Sequence, residues 1–235
     1  MTPRAVDWTA GRGDEAAAGD GLRERKKRRL RQRLSDTATA MFLERGFDAV
    51  RVVEVAAACE VSEKTVYNYF PTKEALVLDR WDATLAALRA GLADPELSPV
   101  DAVLRILAGE LGALTAWLGE QPDLAAATAS VRRFGELVAT TPALRAYQAE
   151  IFGELTAAAA QVLAGRAGIS AGDPEPQIAA IALLGLWSVH FRALEKHLGS
   201  ARTPADLQEA VTADVERAAR LIAHGLQPQA GPAAG

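Results

Sequence analysis

Apolar positions recur along most of this chain at intervals of three and four, the spacing that lays one stripe along a helix turning 100° per residue. Leu104, Leu107, Leu111, Leu114 and Leu118 step this way. So do Ala127, Val131, Phe134 and Val138, then Leu144, Tyr147, Ile151, Leu155 and Ala158. A longer stripe runs through Ile178, Ile181, Leu184, Trp187, Phe191, Leu194 and Leu198, and a last one through Leu207, Val211, Val215, Ala218 and Ile222. Nearer the N-terminus, Leu30, Leu34, Ala38, Met41 and Phe42 predict a helix closed by Gly46, with Phe47 placed to fold back onto its end. Ser98-Pro99, Thr141-Pro142 and Thr203-Pro204 each set an N-cap hydroxyl before a proline suited to the first helical position. Asp101 and Asp206 follow three residues after their caps, as in a capping box. Linkers fall at residues 91–98, 165–176 and 199–202, and the fold class is all-α. One stretch resists: residues 50–55, Val-Arg-Val-Val-Glu-Val, favour a strand by propensity, while three alanines directly after favour a helix.

Charge divides the chain. Residues 23–80 carry 13 Lys/Arg against 9 Asp/Glu, and the remainder carries 13 against 21. Within residues 23–33 there are eight basic side chains and one acid, Glu24. A basic module joined to an acidic remainder points to a polyanion partner for the first part only, or else to a solvated basic face. Composition is that of an ordinary folded protein, 49% hydrophobic and 24% charged. One cysteine, Cys59, excludes a disulfide framework and a multi-cysteine zinc site. The apolar run at residues 178–186 falls short of the roughly 20 residues a bilayer requires. With no signal-peptide pattern, these features predict a soluble, cytoplasmic protein without a membrane partner.

Chemistry concentrates at residues 51–73. A short break at Cys59-Glu60-Val61 is followed by Ser62 as N-cap of a very short helix, residues 63–69, and then by Pro71. Two short helices around a three-residue break have the proportions of a helix-turn-helix. In and directly after the second helix only Val66 and Phe70 are purely apolar. Its polar members suit DNA: Lys64 for guanine acceptors, Asn68 for adenine, Thr65 for a thymine methyl, and the hydroxyls of Tyr67 and Tyr69 for phosphate. A bland surface helix with rim tyrosines is the competing reading.

The stretch FLERGFDAVRVVEVAAACEVSEKTVYNYFPTKEAL resembles the N-terminal domain of the TetR family of bacterial regulators, over roughly residues 28–80. That resemblance implies that the valine stretch is helix 2, from about residue 51 to 58. It also implies a homodimer on a pseudo-palindromic DNA operator, and a C-terminal bundle that dimerises and binds a small-molecule effector. The expected domains are an arm at 1–22, a helix-turn-helix domain at 23–72, a C-terminal helical domain at 73–226 and a tail at 227–235, with arm and tail disordered. By position, Ser62 caps the recognition helix and Lys64, Thr65 and Asn68 face bases. Tyr67 and Tyr69 touch phosphates, Lys73 is the phosphate-binding lysine opening helix 4, and Arg28 and Arg29 add backbone contacts. Two positions depart from the family. Glu60 stands where glycine is common in the turn, so it points away from DNA or the turn avoids positive φ. Arg51 stands near the start of helix 2, where a hydroxyl residue is common, and would offer a charged contact instead.

Other classes fit less well. The chain has no HExxH or P-loop, and Cys59 has no evident histidine partner. His190 and His197 share a helix face seven residues apart, about 10 Å of rise, too far to share a metal directly. An enzyme, a cofactor and a metal are therefore not expected. The alternative reading is a nonspecific architectural or membrane-surface protein using the basic N-terminal helix. Trp117, Phe134, Tyr147 and Phe152 are candidate walls of the effector pocket, or else ordinary core. Trp187, Phe191, Leu194 and Leu221 are the candidates for the dimer interface, by the same family resemblance.

Overall fold

The computed structural model describes residues 21–78 and 81–224. The predicted arm and tail lie outside the described residues, apart from the arm's last two positions. In chain order the described residues form α1 (Leu22–Arg45), α2 (Val52–Ala58), α3 (Glu63–Tyr69), a 3-10 turn (Glu74–Leu76), α4 (Trp81–Ala93) and α5 (Pro99–Gly119). These are followed by α6 (Leu124–Thr140), α7 (Pro142–Ala167), α8 (Pro174–Leu198) and α9 (Pro204–His224). The fold is all-α, with short N-terminal helices in a helix-turn-helix arrangement followed by longer ones. The described residues form two compact units, one from residues 21–78, 81–84 and 109–153, the other from 85–108 and 154–224.

The first unit is built around Leu34, Ala38 and Phe42 of α1, which meet Val52, Val55 and Ala56 of α2 and Val66 of α3 in one buried cluster. Val138 and Leu144 from α6 and α7 belong to the same cluster. Here the valine stretch resolves. Val52, Val55 and Ala56 lie three and four apart on one face, so burial along that face outweighs the β-propensity of valine. Gly46 ends α1 at φ +87°, its N–H bonded to the Phe42 carbonyl at 2.9 Å. Phe47 folds back so that its ring lies 5.0 Å from that of Phe42.

Helix 4 differs from the sequence expectation. It does not open at Lys73; a 3-10 turn intervenes, with the Thr72 hydroxyl accepting from Ala75 N–H at 3.2 Å, and α4 starts at Trp81. The tight turn drives Ala75, Leu76 and Val77 into the core, which a continuous helix from Lys73 would spread around its circumference.

In the second unit α8 and α9 pack along one another as a hairpin. Asp214 of α9 receives Lys196 at 3.0 Å and His197 at 2.9 Å from α8, and Arg217 of its own helix at 2.6 Å. Arg166 of α7 donates to the carbonyls of Leu92, Asp94 and Leu97, closing the C-terminal end of α4. Capping follows the sequence at α5, where Asp101 N–H meets Ser98 Oγ at 3.0 Å, and at α9, where Asp206 N–H meets Thr203 Oγ1 at 3.1 Å. The Asp123 cap of α6 was not anticipated; its Oδ1 accepts from Ala126 N–H at 2.9 Å. By length and composition alone, α5 and α8 each reach the dimensions of a membrane span, because the apolar run at 178–186 is only part of α8. Both helices spend much of that apolar surface on the core, α8 through Leu183, Leu184, Leu186 and Trp187.

Candidate nucleic-acid interface

α3 covers the residues that the sequence assigned to it, and its construction is economical. Val66 is its one buried member, anchoring the helix in the cluster beneath. Ser62 caps it: the hydroxyl accepts from Thr65 N–H at 3.1 Å and pairs with the Thr65 hydroxyl at 2.8 Å. Lys64, Tyr67 and Asn68 are exposed, and Thr65 and Tyr69 half-buried. The Tyr69 ring packs against the core cluster.

The turn before α3 does not avoid positive φ, against one of the two sequence expectations: Glu60 is exposed and adopts φ +55°, in the left-handed region favoured by glycine. Arg51 precedes α2 with its side chain 78% exposed. Its backbone N–H bonds to Glu54 Oε2 at 2.8 Å, and its guanidinium lies 3.6 Å from the same carboxylate. Arg45 holds the other oxygen at 2.7 Å. The hydrogen bond from Arg45, followed by that from Arg51 N–H, lowers the Glu54 pKa to about 2.

Lys73 stands apart from the other candidates. Its ammonium donates to the Phe47 carbonyl at 2.6 Å and lies 4.3 Å above the Phe47 ring and 5.5 Å from that of Phe42. One of its three donors is thus committed to holding the loop after α1. Sequence reasoning also missed two arginines that build the domain. Arg31 donates to the Tyr69 carbonyl at 2.9 Å with its guanidinium 4.8 Å from the Phe70 ring centroid, and Arg33 bonds to the Cys59 carbonyl. Both couple α1 to the helix-turn-helix.

Residues 22–29 of α1 are all exposed, including Arg28 and Arg29. An open cleft of about 560 Å³ lies between this segment and α3, lined by Arg23, Glu24, Lys26, Lys27, Leu30, Asn68 and Tyr69. Positions 23, 26, 27 and 30 share one face of α1.

The C-terminal candidates separate. Phe134 and Tyr147 pack against the core of the N-terminal helices. Phe152 meets Trp81 edge-on at 5.3 Å. Trp117 is buried, and its indole Nε1 has no hydrogen-bond partner among the described residues. Of the interface candidates, Trp187 and Leu194 are buried within one chain, 0% and 8% exposed. Phe191 and Leu221 are exposed, as are Ile178 and Ile181, which the sequence reading had placed on the inner stripe. His190 is buried beside Phe191, and desolvation lowers its pKa to about 4, whereas His197 pairs with Asp214. Among the described residues no group of three or more His, Cys, Asp or Glu could hold a metal ion.

Residues 34–79, the helix-turn-helix just described, match the family model for bacterial regulatory proteins of the tetR family. The transcriptional regulator TcmR of Streptomyces glaucescens is 32% identical over 159 residues, covering 66% of this chain and 68% of TcmR. The chain belongs to the TetR family. A second model, the MftR C-terminal domain, matches this TetR-family chain over residues 124–227. The transcriptional repressor DhaR of Mycobacterium sp. strain GP1 is 36% identical over 75 residues, 30% of this chain and 38% of DhaR. Among solved structures, a TetR transcriptional regulator from Rhodococcus sp. RHA1 superposes with a TM-score of 0.46 at 22% identity, covering 86% of this chain and all of that one. DNA-binding regulation of transcription of the TetR type is accordingly this protein's general function.

Proposed function

We propose that this TetR-family regulator is a cytoplasmic homodimeric repressor that reads a pseudo-palindromic operator and is released by a small molecule. The observation that carries the reading is α3 itself, with Val66 its one buried residue and Lys64, Tyr67 and Asn68 offered to solvent. In this reading α3 enters the major groove, Lys64, Thr65 and Asn68 select bases, and Tyr67 and Tyr69 meet the backbone. Arg28 and Arg29 contribute steering charge. A seven-residue helix binds too weakly alone, so two copies about 34–36 Å apart join two half-sites into one event.

The pairing surface lies on α8 and α9, where Ile178, Ile181, Phe191 and Leu221 are exposed. For the effector, the orphaned Trp117 Nε1 supports a site on α5, since a buried donor without a partner costs free energy that a ligand acceptor would recover. A hundredfold switch in operator affinity then needs about 2.7 kcal/mol of coupling between the two ligands.

Selection of bound duplexes from a random pool, with the mass of the complex measured alongside, tests the reading. The expected result is an inverted repeat with half-sites about one helical turn apart, held by a dimer. Equal retention of every sequence, or a monomer on each duplex, would overturn it.

A further inference from the structure

Three charged side chains meet where the loop after α1 enters α2, and they are not equivalent. Arg45, in the last turn of α1, donates to Glu54 Oε1 at 2.7 Å. The other oxygen, Oε2, accepts from the Arg51 backbone N–H at 2.8 Å. Both carboxylate oxygens are thus engaged by short bonds that tie the start of α2 to the end of α1. The Arg51 guanidinium is left over. Its Nε lies 3.6 Å from Oε2, beyond hydrogen-bond reach, and its side chain is far more exposed than that of Arg45.

Charge alone holds Arg51, and that hold is weak. An exposed pair favours the closed arrangement by no more than about fivefold, and salt screens it. A DNA phosphate offers the same guanidinium an anion to which two parallel N–H donors can bond, so it displaces Glu54 once it comes within reach. Arg45 stays behind. Its bond, with that from the Arg51 N–H, holds the Glu54 pKa at about 2, so the carboxylate keeps its charge throughout the neutral range. Docking therefore strips one of two cations from a group that remains ionised, and affinity falls by the cost of that separation.

We propose that Glu54 is an internal surrogate for phosphate, which occupies Arg51 in the free protein and surrenders it to the DNA backbone on docking. The inference rests on the DNA-binding reading of this head and adds to it a residue that tempers the grip without touching DNA. Glu54 acts through Arg51, and Arg45 keeps it in place.

The test is a double-mutant cycle in the full chain on a duplex selected from a random pool. Wild type, Glu54→Gln, Arg51→Gln and the combined variant are compared, with thermal melts confirming that each folds; glutamine keeps an oxygen for the Arg51 N–H. Glu54→Gln should raise affinity about three- to fivefold and steepen the slope of log affinity against log salt by about one, since Arg51 then meets phosphate with no carboxylate to abandon. In the Arg51→Gln background the same change should alter neither quantity. Equal gains in both backgrounds would reduce Glu54 to a general repulsion of the backbone and overturn the exchange. A loss of affinity, which a purely structural Glu54 predicts, would overturn it too. Should Glu54→Gln fail to fold, the carboxylate carbon shift of Glu54 decides: added duplex should move it in wild type and not in Arg51→Gln, and equal behaviour in the two overturns the exchange. A wild-type protein that binds no duplex overturns the DNA-binding reading as well.

Discussion

Glu60 holds φ +55° in the turn between α2 and α3, where a side chain is crowded by its own backbone. Replacing it with glycine removes that strain but adds unfolded-chain entropy, so Glu60→Gly should stabilise the protein by about 0.5–1 kcal/mol in denaturant unfolding. A loss of stability would mean that the Glu60 side chain has a structural role. Lys73 gives the opposite expectation. Its bond to the Phe47 carbonyl and its place above two aromatic rings make Lys73→Ala destabilising by about 2 kcal/mol. Measuring the salt slope of DNA binding on the same variant separates a phosphate contact, which flattens it by about one, from a purely internal tie. The role of Lys73 in holding Phe47 was hidden in the sequence, because the two residues lie 26 positions apart and no local pattern joins them. Ser62, by contrast, was legible, since an N-cap acts on amides three residues away.

At the scale of the element, α3 depends on that cap. A helix of seven residues is too short to persist by propensity, so Ser62→Ala should cost about 1 kcal/mol and weaken affinity for all duplexes alike. Circular dichroism of the melt and a binding series on several duplexes would check both parts; a change in base preference without loss of stability would contradict the capping role. The three- and four-residue spacing identified each long helix because each has a single buried stripe. It did not find the 3-10 turn at Glu74–Leu76, where burial of three consecutive residues replaces periodicity. For α2 the family resemblance supplied the answer that local propensity could not. In α8 the stripe misled at its N-terminal end: Ile178 and Ile181 keep step with the buried residues but are 64% and 55% exposed.

Across the whole molecule, pH acts through His190. Burial lowers its pKa from 6.5 to about 4, so the unfolded chain binds the additional proton between those values. Stability should be full above pH 6.5 and decline as the pH falls towards 4, by about 3 kcal/mol if the group acts alone. His190→Leu should flatten that portion of the curve in urea unfolding at stepped pH; an unchanged curve would place the acid sensitivity elsewhere. Domain-level function was legible because the helix-turn-helix is a local motif. The effector and interface candidates were less so, because they lie on different helices and no local pattern shows which of their faces meet. Phe134 and Tyr147 join the N-terminal core, while Trp117 keeps a buried donor without a partner among the described residues.

Cys59 is the only thiol in the chain and is 1% exposed, lying where α2 gives way to the turn before α3. A thiol reagent can reach it only when that turn opens, so its labelling rate is an intrinsic clock for breathing of the DNA-reading head. Duplex that holds the head closed should slow the clock.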